Sequence, residues 1–419
     1  MTTLGEGTYA TVVSAQFAIK NYKNTDNEPY NIAYDAIREV SILHHLIDSG
    51  VKCVPRLLQT TISFDNDELI AHTDSVMELI NGNTYQSLIN AGTSIEERCI
   101  IAERYLDRVI SSLQELHQCG VVHNDLKLDN IIISDDDETA VIIDFGISTY
   151  SEAYDLFIPL YKTPEQLINF ENTCESDYWL LAVCLVNFIL QDPYIPVYDL
   201  DSRNIGCVLT GKYMNGEIYD LVDERDLHDE VIIPDSITTS LKTKLRPMLQ
   251  FNKKDRQMGT VLPVTLESSQ FKIDNSYSVY ISLTIHNLAN LLLTINSAME
   301  DGIHPSRIGV VIDIFRRIIM ELRHTYEPIQ LALAITSLLC DSYKMMELII
   351  ERGQDPHTIH PIRVKILEIT RWRILTRTNI QLSVGRTIEN NLNKVLNDKN
   401  HHLLLSLSDV ELKNYFSSN

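Results

Sequence analysis

The sequence predicts an α+β domain followed by an all-α domain, and three observations carry that expectation. Residues 1 to 80 alternate strand-like runs (TYATVVSAQFAIK, VPRLLQT, SVMELI) with one helical pattern, AYDAIREVSILHHL, which suits a small sheet carrying one helix. From about residue 95 helical spacing dominates, interrupted by one short pair of apolar strands. Residues 258 to 276 then hold no sustained period and contain Gly259, Pro263 and a serine pair, and five helical patterns follow. A chain of 419 residues also exceeds one ordinary hydrophobic core.

Each element has its own warrant. In AYDAIREVSILHHL, Ala36 or Ile37, Val40, Leu43 and Leu46 recur at helical spacing, and Asp35 lies in the first turn, where an acid favours the helix dipole. Arg38 and Glu39 in the middle of such a helix are not needed by a core. The run IEERCIIAERYLDRVISSLQELHQCG predicts a helix ending at Gly120. NIIIS and TAVIIDF flank the acidic turn Asp135, Asp136, Asp137 and predict a hairpin, after which a mostly helical stretch runs to about 257. The later helices are expected near 277–297, 305–323, 327–341, 343–351 and 361–378, with two more in the last forty residues. The expected organisation is a first domain over 1–257, with a small lobe over 1–80 and a large lobe over 81–257. A linker over 258–276, a helical domain over 277–385 and a helical tail over 386–419 complete it.

The net charge of -22 argues against nonspecific binding to nucleic acid or to anionic membranes, both of which need a basic surface. No apolar run reaches the roughly 18 to 20 residues that span a bilayer, and the start Met1-Thr2-Thr3 shows no secretory pattern, so a cytosolic or nuclear protein is expected. The seven cysteines (53, 99, 119, 174, 184, 207 and 340) form no Cys-x-x-Cys pair and read as reduced thiols. The histidines, including His44-His45 and His401-His402, show no metal-ligand spacing.

Chemistry concentrates in the first domain. LGEGTYATVV sets Gly5 and Gly7 between strand-like halves, so that backbone can approach a polyphosphate; Ala10 stands where a third glycine is common. FAIK then ends a strand on Lys20, a cation suited to phosphate oxygens, and Glu39 could hold that lysine through an ion pair. VVHNDLKLDN clusters His123, Asp125, Lys127 and Asn130, and IIDFG follows with Asp144. Phosphoryl transfer asks for this set: a carboxylate near the attacking hydroxyl, a lysine on the moving phosphoryl group, and an asparagine with a second carboxylate for Mg2+.

These motifs together resemble the eukaryotic-type protein kinases, over residues 1 to about 265, with Thr163-Pro164-Glu165 as a variant of the family's Ala-Pro-Glu. The resemblance implies a bilobal kinase fold that uses ATP and Mg2+ and acts on a protein substrate. It assigns Asp125 to the substrate hydroxyl, Lys127 to the transferring phosphoryl group and to serine/threonine specificity, and Asn130 and Asp144 to Mg2+. Lys20 with Glu39 would position the α- and β-phosphates. The glycine loop over Leu4, Gly5, Glu6, Gly7, Thr8, Tyr9, Ala10 and Thr11 would cover the nucleotide. Val12, Ala18, Met77, Glu78, Ile80 and Ile132 match the adenine pocket and hinge. Asp177, in SDYWLLAVCLV, matches the anchor of the catalytic loop, and Arg256, in LQFNKKDRQ, the partner of Glu165.

Within that family the chain is most similar to cyclin-dependent kinases. GEGTYATVV resembles their GEGTYGVVY, DAIREVSILHHL their PSTAIRE helix, and IPLYKTPEQL their TLWYRAPEIL. Thr8 and Tyr9 then fall where that family is phosphorylated for inhibition, and Arg38 where it helps grip an activating phosphate. There are departures. Asn124 replaces the arginine of His-Arg-Asp, Thr149 the arginine three residues beyond the Asp-Phe-Gly motif, Ala153 the activating threonine, and Ile158 a threonine that bonds the catalytic pair. The segment from Asp144 to Glu165 is also short; Glu152 or Asp155 could stand in for the phosphate.

Past the linker, VVIDIFRRII (with Arg317), PIQLALAITSLLCDSYKMME and KILEITRWRILTRTNIQL resemble helices of a cyclin box. Lys344 and Arg371 do not align with the cyclin residues that contact the kinase, and a generic helical bundle is the other reading of these helices. The resemblance implies a cyclin-like regulator in cis, or a cyclin in trans; a linker of 19 residues reaches at most about 60 Å and gives an effective concentration on the order of millimolar. The alternative is a pseudokinase scaffold. The Asn- and Ile-rich style and the kinase–cyclin fusion resemble proteins of giant DNA viruses of the mimivirus group, which implies a host cell or a virion.

Overall fold

The computed structural model describes residues 2–6, 10–14, 17–22, 32–62, 73–135, 139–150, 163, 165, 172–191, 197–198, 231–250, 252–256, 278–298, 306–322, 325–339, 348–374 and 388–397, with isolated residues 407, 410–411 and 414–415. The expected linker 258–276, the tip Gly7, Thr8 and Tyr9, and Glu152, Ala153, Asp155 and Ile158 lie outside them. The chain divides into two compact units. One comprises residues 1–45, 57–78 and 263–419; the other comprises 46–56 and 79–262.

The first unit is built on a five-stranded antiparallel sheet of β1 (Thr2–Glu6), β2 (Ala10–Ser14), β3 (Ala18–Tyr22), β4 (Leu57–Ile62) and β5 (Thr73–Met77), in the order β1-β2-β3-β5-β4. The register sets Val12 opposite Lys20, Ala18 opposite Met77 and Lys20 opposite Ser75. The expected helix is α1 (Ile32–Asp48). Its residues 36 to 43 are all buried, so the stripe read from the sequence is only part of its packed surface.

In the second unit, β6 (Gly82–Thr84) leads into α2 (Tyr85–Asn90) and the long α3 (Ile95–Gln118). Ser94 caps α3 by accepting from the Glu97 amide, Glu96 and Glu97 complement the dipole, and Gly120, at φ 72°, turns the chain out of its end as the sequence predicts. The predicted hairpin is β8 (Ile131–Ser134) with β9 (Ala140–Ile142), preceded by the two-residue β7 (Val121–Val122). β10 (Thr149–Tyr150) pairs back onto β7. α4 (Cys174–Leu190) is apolar nearly all round and buried accordingly. The stretch expected to be mostly helical also holds a short strand pair, β11 (Val197–Tyr198) with β12 (Val231–Ile232), before α5 (Thr239–Leu245).

Arg256 and Glu165 meet as the sequence analysis expected. The guanidinium grips both carboxylate oxygens, at 2.8 and 3.0 Å, lies over the Trp179 ring and donates to the Gln250 and Glu175 carbonyls. Ser176 adds a hydroxyl donor to Glu165 at 2.6 Å. Both partners are buried, so each charge depends on the other.

The C-terminal helices group with the sheet and α1: α6 (Ser278–Ala298), α7 (Ser306–Leu322), α8 (Pro328–Leu339), α9 (Pro356–Thr370) and α10 (Ile388–Asn397). The helix expected over 361–378 is corrected at both ends. Asp355 caps it five residues earlier than a start at 361 implies, accepting from the His357 amide ahead of Pro356 at the first turn. It stops at Thr370, because Arg371 and Trp372 adopt φ of 51° and 61°. Their amides return to Glu368 and Leu367 in a Schellman cap that usually carries glycine. Two left-handed side-chain-bearing residues cost on the order of 1–2 kcal/mol each, a strain that surrounding contacts must offset.

Arg256→Met should lower the stability of the full chain by about 3–5 kcal/mol in urea unfolding, because Glu165 is then buried without its counter-charge.

Candidate active site

Two constellations are described, one in each unit. In the first unit Lys20 Nζ lies 2.7 Å from Glu39 Oε2, so β3 and α1 bring together the two residues expected to form an ion pair. Both are buried, with Lys20 7% and Glu39 1% exposed, which leaves little water to compensate either charge. Tyr22, which the sequence analysis missed, donates its hydroxyl to the same Oε2 at 2.7 Å, and the Lys20 ammonium lies 5.4 Å from its ring centre. Strand alternation carries the missing signal: Ala18, Lys20 and Tyr22 share one face of β3, so a helix facing Lys20 also meets Tyr22. Burial, reinforced by the Glu39 charge, holds the Tyr22 phenol well above its ordinary pKa, so it stays a donor. Val12 and Ala18 stand beside these residues in register and Met77 is buried, while Glu78 follows β5 as an exposed residue. Leu4, Gly5 and Glu6 lie on β1, with a register shift between Thr3 and Gly5; Ala10, Thr11 and Val12 open β2.

In the second unit the loop between β7 and β8 carries the expected cluster. Lys127 Nζ contacts Asp125 Oδ2 at 3.0 Å, and Asn130 Nδ2 donates to the Asp125 carbonyl at 2.9 Å and to Oδ2 at 3.3 Å. Burial alone would lower the Lys127 pKa. Attraction to Asp125, with help from Asp144 and Asp129, outweighs it and leaves the ammonium raised and charged. Asp144 follows the Ile143 amide, which donates to the Asn130 carbonyl at 2.9 Å; a φ of 66° turns Asp144 out of the β9 direction. Ile132 on β8 and Ile80 after β5 are both half-buried.

The loop is pinned from behind by Asp177. Its buried carboxylate accepts from the His123 and Asn124 amides at 2.8 and 2.9 Å and from His117 Nε2 at 2.9 Å; Tyr178 contacts the other nitrogen of that ring. Asp177 was expected to anchor the loop, whereas His117, in the last turn of α3, was not foreseen. His123 directs Nε2 to the Ile143 carbonyl at 3.0 Å and stacks edge-on against Phe145, which ties the loop to the Asp-Phe-Gly segment.

Asn124 and Thr149, noted separately as departures, meet. Asn124 Nδ2 donates to Thr149 Oγ1 at 2.9 Å and to the Ile147 carbonyl at 3.1 Å, while Ser148 Oγ donates to the His123 carbonyl at 3.0 Å. The three side chains of this uncharged latch, Asn124, Thr149 and Ser148, are buried. Asn124 holds φ 65°, a conformation that asparagine tolerates better than arginine.

A family model described as Protein kinase domain matches residues 1–261. The chain belongs to the protein kinase domain family. Among curated proteins it is similar to the serine/threonine-protein kinase atg1 of Dictyostelium discoideum, 24% identical over 269 residues, which are 60% of this chain and 36% of that one. It is 28% identical over 181 residues to a calcium and calcium/calmodulin-dependent serine/threonine-protein kinase of Oryza sativa subsp. japonica, covering 40% of this chain and 34% of the relative. It is 34% identical over 148 residues to the human hormonally up-regulated neu tumor-associated kinase, covering 33% and 20%. The chain therefore spans about a third of the length of the first of these relatives.

Membership in the kinase domain family implies ATP, a divalent cation, typically Mg2+, and protein substrates. The donor set fits such a cation: Asn130 turns its Nδ2 to Asp125, which leaves Oδ1 for a metal, and Asp144 offers a carboxylate. Two hard oxygens are what Mg2+ takes from protein when phosphates and water complete its shell. Among the described residues no cluster of three or more His, Cys, Asp or Glu could hold a metal by itself, and no described helix is long and apolar enough to cross a membrane.

Tyr22→Phe should cost about 2 kcal/mol, the order of a hydrogen bond to a charged group. Because the Tyr22 pKa is raised on folding, its contribution is complete below about pH 10, the unfolded value, and declines as pH climbs toward the folded one. The stability gap between wild type and variant should thus be constant near neutrality and narrow in alkaline urea titrations.

Proposed function

We propose that the chain transfers the γ-phosphoryl group of ATP to serine or threonine hydroxyls of proteins, as a kinase resembling the cyclin-dependent kinases, with its C-terminal helices acting as a cyclin-like regulator in cis. The observation that carries the catalytic reading is the Asp125–Lys127–Asn130 cluster, held as one hydrogen-bonded group beside Asp144. Asp125 Oδ2 is engaged by Lys127 and Asn130, so Oδ1 is the oxygen that orients the acceptor hydroxyl and takes its proton. Lys127, kept charged, stabilises the oxygens of the transferring group. Lys20, fixed by Glu39, positions the α- and β-phosphates, with Leu4 to Val12, Ala18, Met77, Glu78, Ile80 and Ile132 as the nucleotide residues. Asn130 and Asp144 would hold Mg2+, whose charge would offset that of the phosphates.

The cis regulator draws support from the cyclin-like helix patterns and from the grouping of residues 263–419 with α1 in one compact unit. The neutral latch supports activity without an activating phosphate. A phosphoamino acid needs cationic partners, and at two positions where related kinases have arginines this chain has Asn124 and Thr149, bonded to each other.

The 419-residue chain with Mg-ATP and a basic protein acceptor should show phosphotransfer that Asp125→Asn lowers by at least about a hundredfold, as for loss of a general base. Equal silence of wild type and variant, with nucleotide still bound, would favour the pseudokinase scaffold. Treating active wild type with a phosphatase should leave its rate unchanged. Asn124→Arg, which buries a charge in a neutral latch, should lower stability by several kcal/mol in thermal or urea unfolding.

A further inference from the structure

We propose that Ser41 is a positioning residue through which the C-terminal domain holds α1 in the arrangement that keeps Glu39 on Lys20. Ser41 follows Glu39 by two residues, about 200° around the helix, so it points to the side opposite the ion pair. Its hydroxyl donates to the Trp372 carbonyl at 2.8 Å and accepts from the Ile374 amide at 3.1 Å. One hydroxyl thus clasps both ends of a three-residue turn more than 330 positions away in the chain.

That turn is the hook in which α9 ends, with Arg371 and Trp372 left-handed and Ile374 fully buried. It is braced from its own domain: Arg317 on α7 donates to the Arg373 carbonyl and pairs with Asp313 at 2.7 Å. The carbonyls of Trp372 and Arg373 are therefore taken by donors from two different helices, Ser41 of α1 and Arg317 of α7. Backbone is what Ser41 reads, so the clasp depends on the shape of the hook rather than on its side chains. Ser41 is 1% exposed, and a hydroxyl buried at that depth without partners would be unfavourable, so the hook also makes this serine tolerable in α1.

The clasp is tested on the full chain with Ser41→Ala, which removes both bonds while favouring helix locally. Loss of one to two net hydrogen bonds should raise amide exchange of residues 38–43 by about fivefold to thirtyfold. Exchange in α4 should stay as in wild type, which separates the effect from general destabilisation. Arg317→Met should raise α1 exchange in the same direction without touching α1, and the double variant should add less than the sum of the two. On the kinase reading, on which the functional consequence rests, kcat/KM for ATP falls in parallel while KM for the protein acceptor holds. Unchanged exchange over residues 38–43 in folded Ser41→Ala overturns the clasp and leaves the phosphotransfer reading intact. Raised exchange in a chain whose wild type transfers no phosphate keeps the clasp and overturns that reading. The unmodified chain supplies a further check: Ile374 should be protected together with α1, and free exchange of Ile374 beside a protected α1 contradicts the proposal.

Discussion

The buried carboxylate of Glu39 is the constraint on which the first unit turns. A carboxylate with 1% exposure is untenable without a counter-charge and hydrogen bonds, and one oxygen receives both, an ammonium from Lys20 and a hydroxyl from Tyr22. Those donors come from adjacent positions on one face of β3. Satisfying Glu39 therefore fixes the height of α1 along the strand as well as its rotation. The same requirement governs the second unit, where Asp177 is fully buried and takes two loop amides and a histidine. In each unit an interior anion sets the geometry of the residues around it, and apolar packing supplies the walls.

Much of this was legible in the residues. Lys20 with Glu39, and Asp125 with Lys127 and Asn130, are legible as groups because phosphate chemistry asks for those residue types, while the pairing of Glu165 with Arg256 is legible only through the resemblance to kinases. The strands of the first unit, α1, α3 and the hairpin followed from periodicity, with Gly120 marking the end of α3, whereas the Ser94 cap and the two-residue strands carry no such signal. Tyr22 was missed because an aromatic on a strand face reads as core; only the alternation with Lys20 marks it as a partner. The end of α9 was missed for a different reason. The sequence around it, EITRWRILTRT, carries apolar spacing straight through and places no glycine where the chain reverses. Arg371 and Trp372 adopt left-handed backbone because tertiary contacts hold them there, and no local propensity encodes that.

Asn124 and Thr149 illustrate a gap of another kind. Each was recognisable alone as the loss of an arginine, and loss suggests deficiency. Their hydrogen bond turns two losses into one substitution, a neutral buried contact in place of a charged pocket that requires phosphate. The exchange is physically coherent. Two arginines buried at 0% and 4% exposed positions without an anion would carry heavy desolvation, whereas the Asn124 amide nitrogen donates to the Thr149 hydroxyl and places no charge there. Ser148, the neighbouring residue, adds a second bond to the same loop, so the segment after Phe145 and the loop between β7 and β8 are joined by uncharged donors whose strength depends little on salt.

Helix α1 is consequently held by contacts of unlike character on its two sides. Toward β3 the contact is ionic and buried, strong when made and costly when broken. Toward the hook it is a pair of hydrogen bonds to backbone, directional but modest. A weak contact that acts through position can govern a strong one, because the ion pair forms only when α1 is turned so that Glu39 reaches Lys20. The strain in Arg371 and Trp372 fits that division. A relaxed helix would run on past Thr370, and the hook exists only while Ser41, Arg317 and the burial of Ile374 hold it. Strain held in the hook is thereby coupled to the orientation of a helix in the sheet-bearing part of the same unit, through the hydroxyl of Ser41.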